Sequence, residues 1–152
     1  MSRERLLNRL EREWQAFLQS FADLPDNTLL ESGAVGWWSV RDVLAHIATW
    51  DEEALKNLPL ILNNKPLTRY ARYGGIDAFN AREQERKQGL SLEQVRQELA
   101  ATHERLISFL KDCPESAYVT GSRFLRRLRL DTYSHYREHA FQIATWRGER
   151  ER

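Results

Sequence analysis

Apolar residues recur at intervals of three and four along four separated stretches of this chain, and nowhere do they alternate long enough to make a strand. That pattern confines the fold to packed helices. The first stretch runs from about Arg3 to Ala22 and carries Leu6, Leu7, Leu10, Trp14, Phe17, Leu18 and Phe21. Leu24 and Pro25 close it, and DNTLLESGAVG, residues 26–36, reads as a loop. The second helix opens at Ser39, with Asp42 three residues on in the spacing of a capping box. It is expected to reach about Asn57, with Pro59 ending or kinking it.

NNKPLTRYARYGG, residues 63–75, has the turn chemistry of a crossover. The third helix begins near Asp77, is interrupted at Gly89, restarts at Ser91 with Gln94 three residues later, and ends around Cys113 and Pro114. ESAYVTGSRFLRRLRL, residues 115–130, reads as irregular, and Asp131 is a candidate cap for a last helix from Thr132 to Trp146 that stops before Gly148. Four helices with one long connection between the second and third predict an all-α four-helix bundle. At 152 residues it is expected to be one domain.

The remaining composition narrows the function. Cys113 is the only cysteine, which excludes an internal disulfide and a thiolate zinc cluster, and beside Pro114 it reads as a buried or incidental thiol. A net charge of +1 gives no electrostatic reason to expect nucleic acid or a membrane as partner. No apolar run approaches the ~18 residues of a membrane span, and the first residues, MSRERLLNRLEREW, are charged throughout. The expectation is a cytoplasmic protein. Five Trp, five Tyr and six Phe exceed what a plain bundle needs and suggest a lined pocket.

Four histidines remain to be placed. On the second helix Val40, Val43, Leu44, Ile47, Ala54, Leu55 and Leu58 form the apolar stripe, and His46 and Trp50 fall together on its edge. His135 and His139, four apart, project in nearly one direction, separated by ~6 Å along the axis. They share their face with Thr132, Gln142, Ile143 and Trp146, and Tyr136 flanks it. Buried imidazoles need partners for two ring nitrogens each. A divalent metal held by His135, His139 and a third ligand from another helix satisfies that need, and His46 is the best-placed third ligand. The alternative is that each ring hydrogen-bonds separately to backbone or water. His103 projects onto the stripe of Leu92, Val95, Leu99, Leu106 and Leu110, as a core or boundary residue or an outer partner of the site.

The motifs WSVRDVLAHIATW, residues 38–50, and HYREHAFQIATWR, residues 135–147, together with DAFN at 77–80, resemble the DinB/YfiT-like superfamily of metal-dependent hydrolases. The likeness spans nearly the whole chain. It implies an up-down-down-up bundle and a divalent ion, nickel or zinc, on His46, His135 and His139. It also implies a hydrolase, or a transferase using a low-molecular-weight thiol such as mycothiol or bacillithiol, acting on a small-molecule substrate. Homodimers are common among such relatives, and Phe141 on the outer face of the last helix is a reasonable contact. A related branch of ClbS/DfsB-like self-protection proteins shares the bundle without needing the metal triad, so a non-catalytic binding protein is the second expectation.

No catalytic base is evident. Asp42 has a capping role, and Glu53 and Glu138 read as solvent-facing. Tyr70 and Tyr73, with Arg69 and Arg72, are candidates for a pocket mouth alongside Trp50 and Tyr136. Arg123, Arg126, Arg127 and Arg129 read as a solvated face that could also attract an anionic substrate.

Overall fold

The computed structural model describes all residues, 1–152, and contains helices and their connections with no strand, apart from one isolated bridge between Val35 and Trp38. Four long helices, α1 (Arg3–Gln19), α3 (Val40–Leu62), α5 (Leu92–Asp112) and α7 (Tyr133–Arg150), are joined by shorter α2 (Asp26–Leu29), α4 (Ile76–Lys87) and α6 (Arg123–Asp131). Helix α3 packs mainly on α5, and α1 on α7, while α6 lies against both α3 and α7. No helix is long and apolar enough to cross a membrane.

The expected stripes make the core. Leu6, Leu10 and Phe17 of α1, Val43, Leu44, Ile47 and Leu58 of α3, Val95, Leu106 and Leu110 of α5, and Ile143 of α7 are all buried in one cluster. Each such side chain contributes about 1.5–3 kcal/mol on leaving water. Helices α3 and α5 begin where their sequence signals place them. Ser39 caps Asp42 N while the Asp42 carboxylate accepts from Ser39 N, and Ser91 and Gln94 reciprocate in the same way.

Five expectations about the elements need correction. The loop at DNTL holds a single helical turn, α2, which buries Thr28 and Leu29. Pro59 does not end α3, which continues to Leu62; so near the C-terminus it forfeits one bond, and the Pro59 carbonyl is used by both Asn63 N and Asn63 Nδ2. Residues 123–131 are not irregular but an amphipathic helix, α6, capped by Ser122 and burying Phe124 and Leu128. Helix α7 runs past Gly148 to Arg150, because its last turn is tied down elsewhere. Arg147 forms a bidentate pair with Asp23 at 2.8 Å, and Arg150 pairs with Glu31 and covers the Trp146 ring. Those contacts, with Arg147 also donating to the Ser20 carbonyl, hold the turn that contains the glycine.

Asp131 does not cap α7. Its carboxylate accepts from Arg127 Nε at 2.7 Å, and α7 starts at a sharp break at Thr132 (φ −123°, ψ −93°) with no side-chain cap. Buried Thr132 instead donates to the Leu128 carbonyl at 2.6 Å. The break re-aims the chain so that α7 presents His135 and His139 to α3.

Candidate functional site

His46 lies on the most heavily buried part of α3 and is itself 7% exposed. From α7, His139 is buried and His135 half-buried. Their ring nitrogens converge. His135 Nε2 stands 2.9 Å from His46 Nε2 and 3.0 Å from His139 Nε2. Two nitrogens bonded to one ion at about 2.0–2.1 Å, with a bond angle of about 90–110°, stand about 2.8–3.4 Å apart. The three ligand atoms all lie within 4.8 Å of one another, so the group can hold a metal ion.

Hydrogen bonding among the rings cannot satisfy all of them. A neutral imidazole Nε2 offers one in-plane position, a proton or a lone pair, yet His135 Nε2 faces two neighbours. The Nδ1 atoms of His135 and His139 also lack protein partners. Protonation is disfavoured as well. Burial, then the neighbouring His139 and Lys87, hold His46 down to about 3, and burial together with His139 and His46 pushes His135 well below the usual imidazole range. His139 is lowered by burial, partly offset by Glu138 and Gln142. Three neutral nitrogen donors aimed at one point suit a borderline divalent cation.

A cleft of about 510 Å³ opens over the cluster. Trp38, Trp50, Ile76 and Leu130 give it apolar walls, and Asn80, Tyr70, Arg127, Asp131 and Glu138 supply polar groups. Trp38 is set by the bridge with Val35, and its ring centroid lies 4.7 Å from that of His46. Trp50 is oriented by donating from Nε1 to Asn80 Oδ1 at 2.8 Å, and its ring meets Phe79 edge-on. The DAFN segment therefore serves the site by fixing a wall.

Tyr70 enters from the crossover. Its hydroxyl donates to Glu53 Oε1 at 3.0 Å and accepts from Arg127 Nη2 at 2.6 Å. Glu53 is thus not solvent-facing as expected but 4% exposed, anchoring the crossover through Tyr70. Arg127 is likewise drawn out of the expected solvated run, while Arg123, Arg126 and Arg129 stay exposed. Asp131 is buried beside it, and burial raises its carboxyl to about 6 against the lowering effect of Arg127.

A model of the DinB superfamily matches residues 9–145. The chain belongs to the DinB superfamily. Among solved structures, this DinB-superfamily protein is similar to the sibling lethal factor precursor DfsB, with 13% identity and a TM-score of 0.83 over 100% of this chain and 98% of that one. It is also similar to the colibactin self-resistance protein ClbS, solved in complex with double-stranded DNA, with 11% identity and a TM-score of 0.78 over 96% and 95%. A third neighbour is an uncharacterised protein from Escherichia coli UTI89, with 15% identity and a TM-score of 0.79 over 99% and 95%. These likenesses show the fold. No curated protein matches the sequence.

Of the residues singled out from sequence, His46, His135, His139, Trp50 and Tyr70 meet at one cleft. Tyr73 does not reach it; its ring packs on Phe79 and is covered by Arg82. Tyr136 is a further correction, being fully buried with its hydroxyl donating to Asp51 Oδ1 at 2.8 Å. One residue of α-helical advance turns it about 100° away from His135, into the core. The sequence offers Asp131 only as a cap and Arg127 only as one of an arginine run open to an anionic substrate, whereas both line the cleft. Their i,i+4 acid–base spacing is the sequence signal for the pair, and it holds only on a helix.

Proposed function

We propose that this DinB-superfamily protein is a divalent-metal-dependent enzyme, a hydrolase or a low-molecular-weight-thiol transferase, acting on a small molecule in the cleft over His46, His135 and His139. The four long helices serve as an up-down-down-up bundle that holds α3 and α7 face to face. The observation that carries the reading is the approach of His135 Nε2 to both other Nε2 atoms, at 2.9 and 3.0 Å. Nickel or zinc fits an all-imidazole donor set. When bound, such an ion supplies Lewis acidity to a water, a thiol or a carbonyl oxygen.

The chain's own groups divide the remaining work. Trp38, Trp50 and Leu130 bind the apolar part of a substrate and exclude water. Arg127, held by Asp131 and Tyr70, presents fixed positive charge to a carboxylate, whether of the substrate or of a small thiol. Asp131, raised to about 6, takes up or releases a proton near neutral pH and is the acid–base group assigned to the site. The exposed rings of Phe141 and Trp37 form the contact of a homodimer.

Metal analysis of protein purified without a histidine tag or chelator tests this reading. About one ion per chain is expected in the wild type and none in His139→Ala. Equal metal content in the two proteins overturns it.

The second reading is a non-catalytic self-protection bundle, favoured by the shared fold of DfsB and ClbS and by the aromatic walls of the cleft. It predicts ligand-induced stabilisation that survives chelation and His46→Ala. Duplex DNA of the kind bound by ClbS is not assigned to this chain, and fluorescence anisotropy with a labelled duplex checks it: no salt-sensitive binding by the wild type is expected.

A further inference from the structure

A smaller pocket, of about 280 Å³, lies where α1, the loop before α6, α6 itself and the start of α7 meet. It shares no lining residue with the cleft over the histidines. Arg129 is two residues from both Arg127 and Asp131 and so about 200° around α6 from each, which puts pocket and cleft on opposite sides of that helix. Arg9 of α1 and Arg126 and Arg129 of α6 line the pocket, and no carboxylate does.

Those three guanidiniums are unanswered. None makes a hydrogen bond or an ion pair within the chain, whereas Arg127, on the far side of α6, is held by Asp131 at 2.7 Å. Arg126 and Arg129 stand three apart on one helix, where like charges are neighbours and repel. Arg9 is positioned by α7, its Cζ lying 5.1 Å from the Tyr133 ring centroid.

Tyr133 supplies the neutral donor. The residue is 3% exposed, and its hydroxyl makes no hydrogen bond within the chain, yet that oxygen is not sealed from solvent as the Nδ1 atoms of His135 and His139 are. Burial raises the hydroxyl and the Arg9 and Arg129 charges lower it, so oxygen and guanidiniums share one space. A phenol with a proton to give, flanked by cations and offered no acceptor, is complementary to an anion.

We propose that this pocket binds the phosphoryl group of a small phosphate monoester, with Arg9, Arg126 and Arg129 forking onto its oxygens and the Tyr133 hydroxyl donating to one of them. A dianion with three terminal oxygens answers three arginines and no acid better than a singly charged carboxylate or phosphodiester does. The volume falls just short of the roughly 300–1,000 Å³ of sites for drug-sized ligands, which limits the ester to a few atoms beyond the phosphoryl group. The inference is independent of the metal reading.

Glycerol 3-phosphate and dimethyl phosphate are the probes, titrated into the full chain by calorimetry at about pH 7.5, where a monoester is mostly dianionic. Arginine Nε–H resonances are followed by NMR in parallel. The wild type is expected to bind the monoester about tenfold more tightly than the diester, with the signals of Arg9, Arg126 and Arg129 shifting. Arg129→Gln, at an exposed position, and Tyr133→Phe, which keeps the ring beneath Arg9, are each expected to weaken the monoester about tenfold. Arg137→Gln removes the same charge from an exposed site on α7 and is expected to change the affinity less than about twofold. His139→Ala is expected to bind as the wild type does. Equal weakening by Arg137→Gln and Arg129→Gln means a general attraction of charge and overturns the proposal, as does loss of binding in His139→Ala or binding of neither probe. A diester bound as tightly as the monoester, with a DNA duplex displacing both from the three arginines, makes this face a nucleic-acid contact and overturns it too.

Discussion

His46 and His135, 89 positions apart in the chain, place their Nε2 atoms 2.9 Å from each other. With His139 completing the cluster, three desolvated neutral rings share one point and cannot all be hydrogen-bonded, a cost that a bound cation removes. Saturating zinc or nickel is expected to raise the wild-type melting temperature by about 5–10 °C, the equivalent of about 2.7 kcal/mol at a hundredfold excess over the dissociation constant. His135→Leu is expected to show no such shift, and to match or exceed the metal-free wild type in stability. Differential scanning calorimetry with and without metal checks both.

Asp131 makes stability depend on pH in an unusual direction. Its folded value of about 6 lies above the ~3.9 of an unfolded aspartate, so the native state binds the proton first. Its contribution is complete below the unfolded value and is lost as pH rises through about 6. Relative to Asp131→Asn, the wild type is expected to gain about 2 kcal/mol between about pH 7.5 and 4.5. Urea denaturation of the two proteins across that window measures the difference, and parallel profiles exclude the shift.

Tyr136→Phe removes the short hydrogen bond to fully buried Asp51 and leaves it only the longer approach of His103 Nδ1, 3.9 Å from Oδ2. Losing that bond inside the core is expected to cost about 1–3 kcal/mol in chemical denaturation. The cost should shrink when Asp51→Asn is combined with it, since a neutral amide is cheaper to bury.

Lys87 is 1% exposed and ties α4 to its neighbours, with Nζ 2.6 Å from Glu98 and 3.5 Å from Glu52. Lys87→Met leaves those two carboxylates facing each other. A loss of about 3 kcal/mol in unfolding free energy is expected, largely recovered by adding Glu98→Gln.

Phe141 and Trp37 are the most exposed large apolar residues, at 73% and 92%. Sedimentation velocity is expected to show a dimer for the wild type and a monomer for Phe141→Glu, with the helical circular dichroism of the two unchanged.

What the sequence by itself determined were the features that depend on neighbours along the chain. The three-four spacing of apolar residues specified helices and their inward faces, the S-x-x-D and S-x-x-Q boxes specified where α3 and α5 begin, and the four-residue spacing put His135 and His139 on one side of α7. The tertiary structure alone decided what depends on distant contacts. Arg147 and Arg150, anchored to Asp23 and Glu31, carry α7 past its glycine, and burial of Phe124 and Leu128 makes a helix of an arginine-rich run. The break at Thr132 turns α7 toward His46, and the packing of α7 into the core puts the Tyr136 hydroxyl on buried Asp51. Local periodicity fixes the direction of a side chain on its own helix, but only the packing of one helix against another brings two such directions to a common point.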